Sequence, residues 1–230
     1  MCRHFHRVFT LAVIVVSVGI AAMQAQTESS KVLGISAGFG ITAIHATEVV
    51  DYLNSVESSR DRLDEVASAP EFFGSVEVRL DESWGAKAEY SYLLKTYTVN
   101  TGAFRPADYT YRVHMPTVML QYILADSGYA FKFGTGIGYH TATLAYEQVQ
   151  GGPQQLFHST GWGLTVEAEG NTTLGGSLFA YLACDVRGNS MSTFKDQNGA
   201  TLSLPRGQNK NASMSFFSVG FKLGLMYYFW

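Results

Sequence analysis

The chain has 230 residues, room for one domain or two small ones, and carries 16 Lys and Arg against 19 Asp and Glu, a formal charge of −3. So mild an acidity gives no electrostatic footprint for a nucleic-acid partner. Only 15% of the residues are charged, whereas 23 Gly, 13 Tyr and 15 Phe are present; glycine and aromatic enrichment of this kind suits membrane-embedded strands.

The first residues read as a targeting segment. Arg3 and Arg7 form a basic start, Val8–Ala22 an apolar core, and Ala21–Gln26 a stretch suited to cleavage. The apolar run is short for a spanning helix and no stop-transfer flank follows it, so residues 1–25 are predicted to be a signal peptide cut near Ala25. The predicted barrel domain is 27–230. Removing residues 1–26 takes away two arginines and no acids, which leaves 14 bases against 19 acids, or −5. Cys2 falls within the leader, so Cys184 is alone in the remainder and no internal disulfide is possible.

Eight segments then alternate large apolar residues with small or polar ones, the period of a strand with one apolar face. Lys31–Ile44 sets Leu33, Ile35, Phe39 and Ile41 against Gly34, Ser36, Gly38 and Gly40. Glu71–Leu80 sets Phe72, Val76 and Val78 against Ser75, Glu77 and Arg79, and Trp84–Thr98 sets Trp84, Tyr90 and Tyr92 against Gly85, Lys87 and Glu89. Tyr109–Leu124 is noisier, with Val118, Leu120, Tyr122 and Leu124 as its clearest row. Tyr129–Tyr146 alternates Phe131, Phe133, Ile137 and Tyr139 with Lys132, Gly134, Gly136, Gly138 and His140. Thr160–Asn171 opposes Trp162, Leu164 and Val166 to Glu167 and Glu169, and Ser177–Gly188 opposes Leu182, Cys184 and Val186 to Asp185 and Arg187. Met214–Trp230 closes the series with Phe217, Val219, Phe221, Leu223, Leu225, Tyr227 and Phe229 around Lys222.

The connections alternate in length. Tight turns are predicted at Asp81–Ser83, Ala125–Gly128 and around Thr172–Gly176. Longer links are predicted at His45–Pro70, near Val99–Asp108, at Glu147–Ser159 and at Asn189–Ser213. Short turns on one side and long loops on the other, with an even strand count, are the pattern of a transmembrane barrel. A soluble sandwich or lipocalin-like barrel would alternate too, with its apolar face inward. Three features favour the inverted arrangement: a polar face rich in Gly, charges of both signs on it, and aromatics toward the ends of the apolar rows. The predicted fold is all-β: an eight-stranded antiparallel up-and-down transmembrane β-barrel.

Tyr111–Leu124 (YRVHMPTVMLQYIL), a strand with a proline, and Phe131–Tyr139 (FKFGTGIGY), a glycine-rich strand, carry a resemblance. They resemble the porin-family outer-membrane protein β-barrel domain, within the small barrels typified by the OmpA transmembrane domain and OmpX. The resemblance implies a bacterial outer-membrane location, contact with outer-membrane lipid, and insertion by the barrel-assembly machinery. It also makes Tyr227, Phe229 and Trp230 a C-terminal assembly signal. The family usually ends on Phe, whereas here Trp230 follows Phe229, and phase puts Phe229 on the lipid face.

The inward polar row is the candidate functional feature: Glu77, Arg79, Lys87, Glu89, Lys132, His140, Glu167, Glu169, Asp185, Arg187 and Lys222. Charges in a low-dielectric lumen persist when paired and hydrogen-bonded, and eight strands leave an interior just wide enough for side chains to fill. The first expectation is therefore a structural or surface-interaction barrel with a plugged lumen, whose long external loops can meet an extracellular ligand. A narrow channel or small-solute-binding barrel is the alternative, and a lipid-modifying enzyme the third. His158 and Ser159 are adjacent, but successive strand residues face opposite ways, so no catalytic residue, cofactor ligand or metal ligand is assigned. Val49, Val50, Leu53, Val56 and Leu63 in the first loop have the spacing of a short amphipathic helix, lying across the mouth or decorating the loop.

Overall fold

The computed structural model describes residues 33–56, 66–100, 106–126, 128–148, 154–202, 213 and 215–229. The predicted signal peptide, Leu63 and Trp230 lie outside them. The strands are β1 (Leu33–His45), β2 (Val66–Arg79), β3 (Trp84–Asn100), β4 (Pro106–Asp126), β5 (Tyr129–Gln148), β6 (Gln155–Gly175), β7 (Leu178–Met191) and β8 (Phe216–Phe229). Each pairs antiparallel with its neighbour in sequence, and β8 pairs with β1, which closes the barrel. One helix, α1 (Thr47–Val56), follows β1.

Exposure of the alternating rows settles which way the side chains point. Ile41 and Leu164 are 67% and 66% exposed, while Lys222 and Glu71 are fully buried. The apolar face is outside and the charged face inside, the reverse of a soluble barrel and the arrangement a bilayer requires. Among the described residues no helix is long and apolar enough to cross a membrane; the strands would cross it. Aromatic pairs mark both edges of the apolar band. Trp84 packs edge-on to Tyr122 and Tyr227 to Phe229 at the short-turn end, and Tyr139 to Trp162 toward the other. Tyr129 and Tyr139 are ten residues apart on β5. At about 3.3 Å per residue and a tilt near 45°, that is about 24 Å of height, matching an apolar band of roughly 25 Å.

The turns follow from local chemistry. Asp81 Oδ1 accepts the Ser83 and Trp84 amides, each at 2.7 Å, and so ties the β2–β3 turn. Gly128 supplies the positive φ of the β4–β5 turn at 87°. Seven of the eight strands, β1 to β7, run beyond their predicted bounds, β2 and β6 by the most at one end. β2 begins at Val66, because the small residues Ala67 and Ala69 carry no strong alternation yet still pair with β1. Pairing of β2 with β3 starts only at Glu71, so Pro70, without an amide hydrogen, costs no bond on that side. β6 extends into the turn predicted at Thr172–Gly176 through an irregularity between Thr173 and Gly175. β4 is noisy in sequence for a different reason: its inward row, Tyr109, Tyr111, Val113 and Met115, is itself apolar.

That row belongs to an apolar cluster at the long-loop end. Val49 and Leu53 of α1 are buried with Leu93, Tyr111, Met115, Leu144 and Phe216 of the barrel wall, so the amphipathic helix seats its apolar face inside the mouth. Phe194 and Leu202 join it from the segment after β7. There Asp196 Oδ1 accepts the Asn198 and Ala200 amides, each at 2.8 Å, and closes a small turn. Glu48 Oε2 accepts the Ser213 amide at 3.0 Å, which ties α1 to the segment before β8.

Candidate functional site

Below the apolar cluster the lumen is filled by ion pairs that form one connected network. Lys132 Nζ donates to both Glu77 oxygens at 2.5 and 2.6 Å, to Glu169 Oε1 at 2.8 Å and to the Tyr228 hydroxyl at 2.9 Å. Lys87 Nζ donates to Glu167 Oε1 at 2.6 Å, Glu169 Oε2 at 3.0 Å and the Tyr181 hydroxyl at 2.9 Å. Lys222 Nζ lies 2.5 Å from Glu89 Oε1, 3.0 Å from Asp185 Oδ2 and 3.1 Å from Glu167 Oε2. Arg187 Nη2 reaches Glu71 at 2.8 Å and Asp185 at 3.0 Å. An ammonium has three protons, and each of these lysines meets acceptors on three different residues. Glu169 joins Lys132 to Lys87, Glu167 joins Lys87 to Lys222, and Asp185 joins Lys222 to Arg187.

Burial makes this satisfaction necessary. Water that would stabilise an isolated charge is excluded, so every ion depends on its partners. Neutral groups supply further donors: Thr42 Oγ1 donates to Glu71 Oε2 at 2.6 Å, and Asn171 Nδ2 to Glu169 Oε1 at 2.8 Å. Gly220 leaves the room that Asp185 needs, since a Cβ there would lie 2.9 Å from Asp185 Oδ1.

His140 is buried nearer the apolar cluster and makes no ion pair among the described residues. Its Nδ1 lies 2.5 Å from Asn189 Oδ1, and its Nε2 3.3 Å from Thr117 Oγ1. The ring occupies space opened by two glycines, because a Cβ on Gly138 or Gly163 would overlap it. Gly138 on β5 and Gly163 on β6 thus make room for a large polar ring, while Gly134 and Gly136 lie against Gln121 and Met119.

Of the eleven residues on the sequence-predicted polar row, nine form the ion-pair network and His140 sits beside it. Arg79 is the departure. At the end of β2 its side chain bends to the turn and donates from Nη2 to the Glu82 carbonyl at 3.0 Å. Its guanidinium thus binds the turn instead of a lumen acid, and its Nε stays buried. Sequence reasoning missed Glu71, although Phe72 outward already implies Glu71 inward. It also missed Tyr228, hidden in an aromatic tail, and Asn189, assigned to a loop. The adjacent His158 and Ser159 point to opposite faces: Ser159 Oγ donates to the Ser192 carbonyl at 2.5 Å, and His158 is exposed beside Thr143. Among the described residues no group of three His, Cys, Asp or Glu is arranged to hold a metal.

No protein-family model matches the chain, and no curated protein is similar to it in sequence. Solved structures are similar in fold. A major outer membrane protein from Thermus thermophilus superposes with a TM-score of 0.56 at 11% identity, covering 87% of this chain and all of that one. OprG of Pseudomonas aeruginosa gives 0.52 at 13% identity, over 88% of this chain and 97% of its own. Ail of Yersinia pestis gives 0.49 at 9% identity, over 87% of this chain and 100% of its own. What the chain shares with the Thermus protein and OprG is the fold: it is a closed, eight-stranded, up-and-down antiparallel β-barrel of the kind found in bacterial outer membranes.

Proposed function

We propose that this protein is an outer-membrane barrel with a sealed interior, whose work is done by its exterior: the wall facing lipid and the long loops facing outward. The observation that carries this reading is the lumen itself, a connected ion-pair network lying beneath the apolar cluster that α1 and Phe194 complete. Each barrier alone opposes a solute. To pass, it would have to break buried ion pairs, worth about 3–5 kcal/mol when one partner is lost, and then displace packed apolar side chains. The signal-peptide pattern read at 1–25 and the fold shared with outer-membrane proteins support export and outer-membrane insertion. Ligands of this barrel are accordingly surface ligands, met by the loops, and the membrane lipids around it.

The test is conductance in planar bilayers of the purified, heat-modifiable protein. Background current at all voltages short of membrane breakdown is expected. A stable, reproducible single-channel step would overturn the sealed reading in favour of a narrow channel. Recovery of the protein in the soluble periplasmic fraction would overturn membrane insertion itself.

A further inference from the structure

The outer wall carries a feature that the sealed lumen does not explain. Register places Arg112 beside Thr143 and Thr143 beside His158, and His158 bridges to Lys195. Residues directly opposite on neighbouring strands share a face, so this is one outward row, held in part by Thr143 Oγ1 lying 3.3 Å from His158 Nδ1. Arg112, His158 and Lys195 are exposed, and among the described residues neither Arg112 nor Lys195 is paired with an acid. Two residues nearer the membrane come the hydroxyls of Thr141 and Thr160, and two further the aromatic pair Tyr139 and Trp162. The order along the wall is aromatic, hydroxyl, cation, in steps of about 7 Å. The strand acids Asp108 and Glu147 lie four residues farther out, about 13 Å beyond the cationic row.

On the same outer face, starting at Trp162 about 13 Å along β6 from His158, is a groove of about 710 Å³ whose walls include Trp162, Leu164 and Phe217. Gly188 forms its floor. It stands between Leu164 and Phe217 in register, and a Cβ there would meet nothing within 4 Å. The far rim carries Glu48, so an anionic group is favoured only on the β6 side, toward His158 and Lys195. An apolar groove in the lipid-facing wall, on the same face as a row of cations, suits an amphiphile with its chain below and its anion above.

We propose that this face binds a phosphorylated glycolipid of the surrounding outer leaflet, with an acyl chain over Gly188 and headgroup phosphate on the row Arg112–His158–Lys195. The proposal rests on the membrane-barrel reading. The choice of a membrane lipid over a soluble polyanion comes from position: the cations stand one hydroxyl row beyond the aromatic edge of the apolar band, on the headgroup side of it. The row crosses three strand spacings, about 14 Å, so it can meet more than one phosphate.

The experiment uses the full protein in detergent, once its outer-membrane fractionation and heat-modifiable migration are established; failure there would concern membrane insertion and not this site. The unfolding temperature is read with diphosphorylated lipid A, with the same lipid stripped of both phosphates, and with heparin. The expected result is a rise of several degrees with the phosphorylated lipid and a smaller rise with the stripped one. Arg112→Gln/His158→Gln/Lys195→Gln should remove the difference between the two lipids, and Gly188→Phe, which puts a ring into the groove from a position where an added Cβ meets nothing within 4 Å, the rise due to the chain. Equal rises with both lipids in the unmodified protein, or an unchanged difference in the triple variant, would overturn the headgroup assignment. Stabilisation by heparin equal to that by lipid A would transfer the row to a soluble polyanion and overturn the lipid. A crosslinked dimer lost in Gly188→Phe would give the groove to a second copy of the chain and likewise overturn it.

Discussion

Lys222 Nζ lies 3.0 Å from Asp185 Oδ2, although the two residues do not oppose each other in register: Lys222 faces Ala183, and Asp185 faces Gly220. The contact is diagonal, made because both side chains point into the same narrow lumen and Gly220 yields the space between them. The same ammonium also serves Glu89 and Glu167 from strands on other sides of the barrel. One side chain therefore ties together β3, β6, β7 and β8.

Replacing Lys222 with Met keeps the length and removes the charge, which leaves Glu89, Glu167 and Asp185 each short of one donor. Breaking one partner of a buried network costs about 3–5 kcal/mol. Urea unfolding in detergent micelles, followed by the gel shift between folded and unfolded barrel, should show that loss. Wild-type stability for Lys222→Met would mean that the network contributes nothing net.

Gly163→Ala is expected to destabilise by about 1–3 kcal/mol, because the added methyl overlaps the His140 ring and forces it from Asn189. Combined with His140→Ala, the alanine at 163 should cost much less. A double-mutant cycle measures the difference, and additive effects would mean that the glycine serves something other than the ring.

Leu53→Asp puts a carboxylate into the fully buried contact of α1 with the barrel wall. The helix is expected to leave the mouth and become sensitive to protease, while conductance in planar bilayers stays at background because the ion pairs below still close the lumen. A channel opened by this single change would assign the whole seal to the apolar cluster.

Leu223 lies midway along β8 with its side chain outward. Leu223→Arg should cost about 2–4 kcal/mol by placing a cation near the bilayer midplane. Leu223→Ala should cost less, since no packed core loses a side chain. Equal effects, measured by unfolding in lipid vesicles, would contradict a lipid-facing position.

Cys184 is exposed on the outer wall of β7, between Ala168 and Phe221 in register. In intact outer membranes a lipid-soluble maleimide is expected to label it and a charged maleimide to leave it unlabelled. Labelling by the charged reagent would place this strand against water.

Much of the fold was legible because strand alternation is local. Phe229 on one face with Tyr227, and Lys222 on the other, follow from position parity alone, and the strand count and the alternating loop lengths need only turn chemistry. Legibility failed where alternation lost its contrast. At Tyr109–Met115 both faces are apolar, since the inward row packs on α1; at Val66–Pro70 both are small. Glu71 escaped notice because it stood at a presumed strand start, and Asn189 because β7 runs to Met191, three residues past its predicted end at Gly188.

The sequence by itself determined which residues share a face of each strand, because that depends only on a period of two. Glycines and charges of both signs pointed one face inward; the exposure of the apolar rows in the folded barrel decided the direction. The sequence also determined that the lumen would hold charges of both signs, and that the first loop could form a helix with one apolar face. Only the tertiary structure decided who pairs with whom. Lys87 reaches Glu167 and Glu169 across the barrel from β3 to β6, and Arg187 reaches Glu71 from β7 to β2. Those choices depend on the closure of β8 on β1, on the stagger between strands and on where glycines leave room. The same holds outside: Arg112, His158 and Lys195 are 46 and 37 residues apart in the chain, and only the register of β4, β5 and β6 sets them in one row on the face that carries the groove over Gly188.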